Sequence, residues 1–254
     1  MKVRILGTGY GDCKIKKKSS RDFRRKGGVI VDDKILIDAA EDIFDIAKDF
    51  ACKEILDGIE AVFISHSHPG HFSPAVIEKL CAKRDIRIFA SDVVLDMLPE
   101  IEHLEKCPIL PFLPIELGSY KIIPLPANHS TQNPAEYCLN FTISRDKTLF
   151  YALDGGFLNY EAYKVLLGLK IDAVIADCAL EMKEPSHSSM DHGSLESARL
   201  MRDILVGAGI AMPSLRFVLS HIPTDKKRMI HDELTEAAAE YGISVAYDGY
   251  FLNI

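Results

Sequence analysis

The sequence predicts an α/β (α+β) protein with mixed sheets, folded as a single domain over residues 1–254. Apolar runs typical of buried strands alternate along the chain with segments of helical periodicity. Hairpins occur among them and add antiparallel pairs to the sheets. The sequence contains no linker long enough to divide the chain and no repeat of fixed period.

Apolar or alternating runs predict the strands. In chain order they lie at 1–7, 28–31, 34–37, 61–64, 86–90, 120–125, 137–143, 148–153, 173–176, 216–219 and 244–246. The second and third strands, and the seventh and eighth, are expected to form hairpins because short polar turns separate them. The run at 61–64 is apolar throughout, which is typical of a strand buried in a mainly parallel sheet. The Pro-rich stretch at 107–114 is expected to be a loop.

Apolar residues recurring every three or four positions predict the helices. They lie at 40–56, 74–81, 92–98, 160–169, 194–206 and 225–241. Ser73 and Pro74 suit the N-cap and the first helical position of the second helix. The sequence therefore supplies both helices and strands for one layered domain.

Composition and charge restrict the classes of function. The chain has 254 residues, of which 48% are hydrophobic and 26% charged, enough for a sizeable core. Its net charge of −7 argues against nucleic-acid or membrane binding by the whole surface. The cysteines form no CxxC pair, the first residues lack the apolar region of a signal peptide, and no apolar run approaches a membrane span. We therefore expect a cytoplasmic protein with no membrane partner.

The most informative stretch follows the strand at 61–64. His66, His68 and His71 lie close together there, and Pro69 and Gly70 break any regular element. Ligands bind at the carboxyl ends of strands in α/β proteins, and residues two apart on an extended backbone point the same way. Three imidazoles suit zinc, iron or manganese. The alternative is a surface loop that is merely rich in histidine.

Three later residues, His129, Asp154 and His221, also follow predicted strand ends. Imidazoles and a carboxylate on one sheet edge can form a metal cage, and the two oxygens of Asp154 can face two ions about 3.5–4 Å apart. Each residue taken singly has a structural explanation, as a loop, turn or strand-end residue. His192, in a predicted loop at 184–193, is a candidate catalytic residue, with a plain helix-start position as the alternative.

The segment at 14–26 is strongly basic in an otherwise acidic chain. Its cations are Lys14, Lys16, Lys17, Lys18, Arg21, Arg24, Arg25 and Lys26. A solvated loop explains this run as well as an anion-binding segment does. In the second case Arg21, Arg24 and Arg25 would bind a substrate phosphate, because guanidinium groups match its charge and geometry.

These motifs resemble a known family. The run His66-Ser67-His68-Pro69-Gly70-His71, with His129, Asp154 and His221, resembles the metallo-β-lactamase superfamily over almost the entire chain. Further similarity to its phosphodiesterase branch, which includes tRNase Z and the accessory phosphodiesterase of the carbon–phosphorus lyase pathway, lies at 7–9, the basic segment, 35–38, 192–198 and 217–221. The resemblance implies a four-layer αββα sandwich with metal between its two sheets.

The resemblance also implies one or two divalent ions: zinc, manganese or iron. One ion would be held by His66, His68, His129 and Asp154, and a second by His71, Asp154 and His221. We expect a metal-activated hydroxide to attack a small phosphodiester, cyclic ones included, while His192 protonates the leaving oxygen or steadies the transition state.

Three departures from the family pattern matter. Gly70 stands where the pattern has Asp, so the second site should be weaker, empty or completed by a nearby carboxylate such as Asp191. Of the cysteine cluster that often holds a structural zinc, only Cys13 remains. The interval from His129 to Asp154 is too short for the long arm with which tRNase Z grips tRNA, which counts against a large nucleic-acid substrate.

Two other functions fit the same residues. The cage could serve a carboxyl-ester, thioester or lactone hydrolase, because hydroxide also attacks carbonyl carbon. Alternatively, Gly70 could mark a degenerate member that binds a ligand without turnover. A homodimer is compatible with the sequence.

Overall fold

The computed structural model describes residues 1–13, 20–50, 53–184, 186–224 and 230–254. Four lysines of the basic segment, at positions 14–18, lie outside the described residues, as do positions 51–52 and 225–229 of two predicted helices and position 185 of the predicted loop at 184–193. None of the helices in the described parts of the chain has the length and apolar character that a membrane span requires.

Sixteen strands are described. They are β1 (Lys2–Ile5), β2 (Gly9–Tyr10), β3 (Val29–Val31), β4 (Ile35–Ile37), β5 (Ala61–Phe63), β6 (Ile86–Ala90), β7 (Leu104–Pro108), β8 (Ile115–Leu117), β9 (Tyr120–Pro126), β10 (Leu139–Ser144), β11 (Thr148–Ala152), β12 (Ile171–Asp177), β13 (Ala211–Ser220), β14 (Ile222–Pro223), β15 (Ile243–Val245) and β16 (Tyr250–Asn253).

Seven α-helices are described between these strands. They are α1 (Ile43–Asp49), α2 (Lys53–Leu56), α3 (Pro74–Cys81), α4 (Asp92–Asp96), α5 (Tyr160–Leu166), α6 (Leu195–Gly207) and α7 (His231–Ala239). A 3-10 turn spans His187–Met190, inside the segment that we expected to be a loop. Ser73 precedes α3 in an extended conformation and Pro74 opens the helix, as the sequence predicts.

The strands form two seven-stranded mixed sheets. The first has the order β16-β1-β3-β4-β5-β6-β7 and the second the order β15-β13-β12-β11-β10-β9-β8. Strands β4 to β7 are parallel to one another in the first sheet, as are β11, β12, β13 and β15 in the second. The predicted hairpins are β3–β4 and β10–β11, both antiparallel.

The two sheets face each other across an apolar core. One buried cluster joins side chains of the first sheet, such as Val3 and Phe63, to side chains of the second, such as Phe141 and Ile175. A second cluster packs α5, α6 and α7 against the outer face of the second sheet, and a third packs α1, α3 and α4 against that of the first. The layers are therefore αββα, which confirms the predicted fold class.

Most differences between the predicted and the observed elements concern edge strands and very short strands or helices. Strand β7 has two adjacent charged residues, Glu105 and Lys106, is half-exposed and lies at the sheet edge, so its sequence lacks the apolar run of a buried strand. Strands β2, β8, β14 and β16 are two to four residues long and were also not predicted. The predicted helix at 40–56 contains two short helices, α1 and α2.

Candidate metal centre

Seven polar side chains from distant parts of the chain meet at one edge of the sandwich. They are His66, His68 and His71 after β5, His129 after β9, Asp154 after β11, His192 before α6, and His221 between β13 and β14. Their ring and carboxylate atoms contact one another. Since the parallel strands of each sheet end at this edge, the topology places these residues together although 155 positions separate the first from the last.

Three histidines form the first donor set. His66 Nε2 lies 3.1 Å from His68 Nδ1, and His129 Nε2 lies 3.2 Å from the same nitrogen. Each residue offers one nitrogen, and the three nitrogens lie within 4.8 Å of one another. Burial, reinforced by the neighbouring His71, lowers the pKa of His66 to about 4, which keeps this imidazole neutral and able to act as a ligand.

Asp154 lies between this set and a second donor set, which it forms with His71 and His221. Its Oδ2 is 2.6 Å from His71 Nε2 and 3.2 Å from His66 Nε2, while its Oδ1 is 2.7 Å from His221 Nε2. Burial opposes the charge of Asp154, but His221 and His71 outweigh it and hold the pKa of this carboxyl well below its usual value. A single carboxylate thus contacts histidines of both sets, as a bridging ligand requires.

The geometry at Asp154 fits a divalent cation better than it fits hydrogen bonds alone. Asp154 Oδ1 and His71 Nε2 are buried and lack a hydrogen bond among the described residues, although each has a short contact with an oppositely charged or polar group. Buried polar atoms are almost always satisfied, so a missing partner is expected here. Asp154 and His221 also have positive φ angles, of 49° and 58°, which non-glycine residues seldom adopt outside functional sites.

A buried carboxylate behind the cluster orients His71. Asp38 Oδ2 lies 2.7 Å from His71 Nδ1 and accepts hydrogen bonds from Tyr151 Oη at 2.5 Å and Ser65 Oγ at 3.0 Å. Burial opposes the charge of Asp38, but the contacts with His71 outweigh it and lower the pKa of this carboxyl. We place a proton on His71 Nδ1 because Asp38 accepts it, so Nε2 faces Asp154 as a ligand atom.

His192 is oriented in the same way by Asp177. Its Nδ1 lies 2.9 Å from Asp177 Oδ2, which also accepts from the backbone N–H of Gly193 at 2.9 Å. Burial opposes protonation of His192, but Asp177 outweighs it and raises the pKa of the imidazole. A Cβ at Gly193 would lie 2.3 Å from the carbonyl oxygen of Asp177, so glycine permits this close approach.

The cluster opens onto a cavity of about 540 Å³. Among its lining residues are His68, His71, His129, Asp154, His192 and His221 from the cluster, with Tyr10, Lys26, Gly70, Gln132 and Asp191 around them. The Tyr10 ring lies 5.0 Å from the rings of both His192 and His221. A small molecule can therefore reach both donor sets and His192 from one side.

The amino-acid sequence of this chain matches the model of a known protein family. The model described as "Beta-lactamase superfamily domain" matches residues 33–222, about three quarters of the chain. The chain belongs to the beta-lactamase superfamily. No curated protein shows a significant match by sequence.

Several solved structures share the fold over nearly their full lengths. The metallo-β-lactamase fold protein YhfI from Bacillus subtilis has a TM-score of 0.74 at 18% identity, covering 99% of this chain and 98% of that one. A diphosphatase from the PhnP family has a TM-score of 0.74 at 19% identity, covering 100% and 97%. Human tRNase Z, short form, has a TM-score of 0.68 at 15% identity, covering 100% and 99%. At these low sequence identities the structural similarity shows that the fold is shared.

The three arginines of the basic segment are engaged away from the cavity of this superfamily member. Arg24 is 1% exposed and donates to Thr8 Oγ1 at 2.8 Å and to the carbonyl oxygen of Ala246 at 2.6 Å. Arg25 pairs with Asp248 and Asp49, and Arg21 lies over the ring of Tyr247. These contacts tie the N-terminal segment to the end of the chain, so we do not retain the three arginines as phosphate ligands.

The position of Asp191 answers one expectation, and the Gly7-Thr8-Gly9 turn has a plain structural role. Asp191 contacts His129, with its Oδ1 3.0 Å from Nδ1, so it adjoins the first donor set and not the second as we had expected. The Gly7-Thr8-Gly9 turn is a close crossing of backbones, since a Cβ at Gly7 would lie 2.4 Å from the carbonyl oxygen of Arg25. This close approach requires a residue without a side chain at position 7.

Sequence reasoning missed several residues that support the centre. Glu136 accepts from the Ser67 backbone N–H and from Ser67 Oγ, both at 2.6 Å, and so holds the loop between His66 and His68. Lys26 lines the cavity, although the basic run gave no sign of which cation would do so. Isolated charged residues carry no periodic signal, and only the folded chain shows which of them face the site.

Proposed function

We propose that this protein is a metal-dependent hydrolase that cleaves a small phosphodiester. The observation that carries the proposal is the pair of donor sets that meet at Asp154, whose Oδ2 lies near His66 and His71 and whose Oδ1 lies near His221. His66, His68, His129 and Asp154 would hold one ion, and His71, Asp154 and His221 a second. Imidazole nitrogen and carboxylate oxygen suit zinc, manganese or iron. Such ions, when bound, lower the pKa of water toward about 7 and stabilise charge on phosphoryl oxygens.

His192 is the residue that we assign to proton transfer. Its Nδ1 is directed to Asp177, so its other nitrogen, Nε2, remains to exchange a proton with a substrate in the cavity that it lines. Asp177 fixes the ring orientation and stabilises the imidazolium form through its charge. In this position His192 would protonate the oxygen of the leaving alcohol.

The size of the site favours a small substrate. The cavity measures about 540 Å³, within the range of pockets that bind small molecules. The chain between His129 and Asp154 is largely used by the β10–β11 hairpin of the second sheet, so it adds no projecting arm. Both features favour a small phosphodiester over a folded nucleic acid.

Hydrolysis of bis-p-nitrophenyl phosphate by the zinc- or manganese-loaded protein tests the proposal. We expect His192→Ala to lower turnover by about 10²–10⁴-fold, the usual contribution of general acid–base catalysis, while the metal content stays as in the wild type. His187→Ala is the matched control, because His187 lies on the exposed surface of the same loop and belongs to none of the donor sets. Equal turnover in His192→Ala and wild type would remove His192 from the mechanism. A loaded wild type that cleaves no phosphodiester would refute the function.

A further inference from the structure

The side of the cavity next to the second donor set contains open space beside Gly70. A Cβ built on Gly70 would meet no heavy atom within 4 Å, although its neighbour His71 is buried. His71, Asp154 and His221 supply three protein ligands, whereas zinc usually takes four. This part of the site therefore has room for a group that comes from the substrate.

One cation faces this cavity. Among the described residues that line it, Lys26 is the only lysine or arginine. The next two residues, Gly27 and Gly28, line a narrow gap together with Gly70 and His71, which places the Lys26 segment beside the open space. A Cβ at Gly27 would lie 2.2 Å from the backbone nitrogen of Gly7, so a tight crossing of two chain segments fixes this position.

The charge of Lys26 is held in place by two exposed carboxylates. Its Nζ lies 2.7 Å from Asp12 Oδ1 and 3.2 Å from Glu41 Oε1, and its backbone N–H donates to Asp42. The Lys26 side chain is 14% exposed, but those of Asp12 and Glu41 are 86% and 63% exposed. Because the side chains of Asp12 and Glu41 are largely exposed, either carboxylate can turn into water when an anion enters the cavity and takes its place beside Lys26.

Resting on the proposed function, we infer that the natural substrate carries a second anionic group besides the scissile phosphodiester. Lys26 binds this group in the space beside Gly70. The group is a terminal phosphate or carboxylate, since both match an ammonium ion through charge-assisted hydrogen bonds. Lys26 and Gly70 thus determine specificity, whereas His192 serves the chemistry.

Matched substrates test the inference. One is ethyl p-nitrophenyl phosphate, and the others carry a terminal carboxylate or a terminal phosphate on the ethyl arm. We expect the zinc-loaded wild type to prefer a charged arm by about tenfold in kcat/KM, the value of one charge-assisted hydrogen bond. Lys26→Gln should bring this ratio close to one, and Lys26→Arg should restore part of it. Gly70→Leu should also lower the ratio, because its side chain fills the space without adding a charge or a metal ligand.

Direct binding supplies a readout that does not depend on turnover. Calorimetric titration of the zinc-loaded proteins with inorganic phosphate should show about tenfold weaker binding to Lys26→Gln and tighter binding to Glu41→Gln, which releases Lys26 from one partner. Lys34→Gln is the matched control, because Lys34 makes a similar exposed pair with Glu60 but does not line the cavity.

The outcomes separate the two proposals. A wild type that cleaves the neutral-arm diester with no preference for a charged arm contradicts the inference and leaves the proposed function intact. A preference or a phosphate affinity that Lys26→Gln shares with the wild type also contradicts it. If no diester is cleaved, the proposed function fails, and the phosphate titrations alone decide whether Lys26 binds an anion.

Discussion

Asp154 shows how the backbone can fix a buried carboxylate among several imidazoles. Its φ angle of 49° turns the chain sharply after β11, and its side chain is 3% exposed among five imidazoles. A buried carboxylate without a cation near it would be costly, and positive φ adds about 1 kcal/mol or more. The surrounding sheet must therefore hold this conformation, which is the pattern of a pre-organised site.

At the same scale, Glu136 offers a test of how firmly the first donor set is held. Glu136→Ala removes both hydrogen bonds to Ser67 and frees the loop that carries His66 and His68. Because outer partners of metal ligands typically contribute 10–100-fold to metal affinity, we expect zinc affinity to fall by about tenfold, as measured by competition with a chromogenic chelator.

The matched control for Glu136 is Glu105→Ala, an exposed glutamate on edge strand β7. Its zinc affinity should equal that of the wild type. An unchanged affinity in Glu136→Ala would show that the loop is held by its other contacts, such as the hydrogen bond from Leu139 N to Ser65 O.

Residues of the site differed in how far the sequence could predict them. The histidines at 66, 68 and 71 are predictable because their spacing is local and follows an apolar run. Arg24 was misleading, because its partners Thr8, Ala246 and His231 come from both ends of the chain. A basic run in the sequence does not show which of its side chains turns inward.

At the scale of elements, buried strands were predictable and edge strands were not. Strands β5, β11 and β12 are buried at nearly every position and appear in the sequence as continuous apolar runs. Strands β7 and β16 border the first sheet and carry polar residues on an exposed side, so their pattern is weak. The predicted site was affected little, since it lies at the ends of inner strands.

The start of helix α7 gives a pH prediction for stability. His231 is 4% exposed, and its Nδ1 accepts from Arg24 Nη2 at 2.9 Å. Burial, and then the charge of Arg24, lower the pKa of His231 from 6.5 to about 4. The unfolded chain therefore binds more protons between these values, and the free energy of unfolding should fall, by at most about 3 kcal/mol, as the pH drops from 6.5 to 4.

Urea unfolding across that pH range measures this loss. His231→Gln can keep a hydrogen bond with Arg24 but has no titrating group, so its stability should decline less steeply than that of the wild type. Other histidines also titrate here, and comparison of the two slopes removes their contribution. Parallel slopes would mean that His231 is not the group responsible.

At the scale of the whole molecule, the site exists because two sheets end their parallel strands at the same edge. Each sheet supplies some of the proposed ligands: His66, His68 and His71 follow a strand of the first, and His129, Asp154 and His221 follow strands of the second. No segment contains both donor sets by itself. The family pattern made this convergence predictable from sequence, whereas the space beside Gly70 and the position of Lys26 required the folded chain.

The central claim is that these distant side chains share cations through Asp154. Zinc content per chain, measured after reconstitution and gel filtration, tests it most directly in the wild type and in Asp154→Asn, since Asn keeps the size and tolerates positive φ. Asp33→Asn is the control, because Asp33 also has positive φ, 60°, but lies in the β3–β4 turn. We predict between one and two ions in the wild type and the control, and less than half of that in Asp154→Asn. A wild type without zinc, or an Asp154→Asn variant with the full content, would contradict the shared cage.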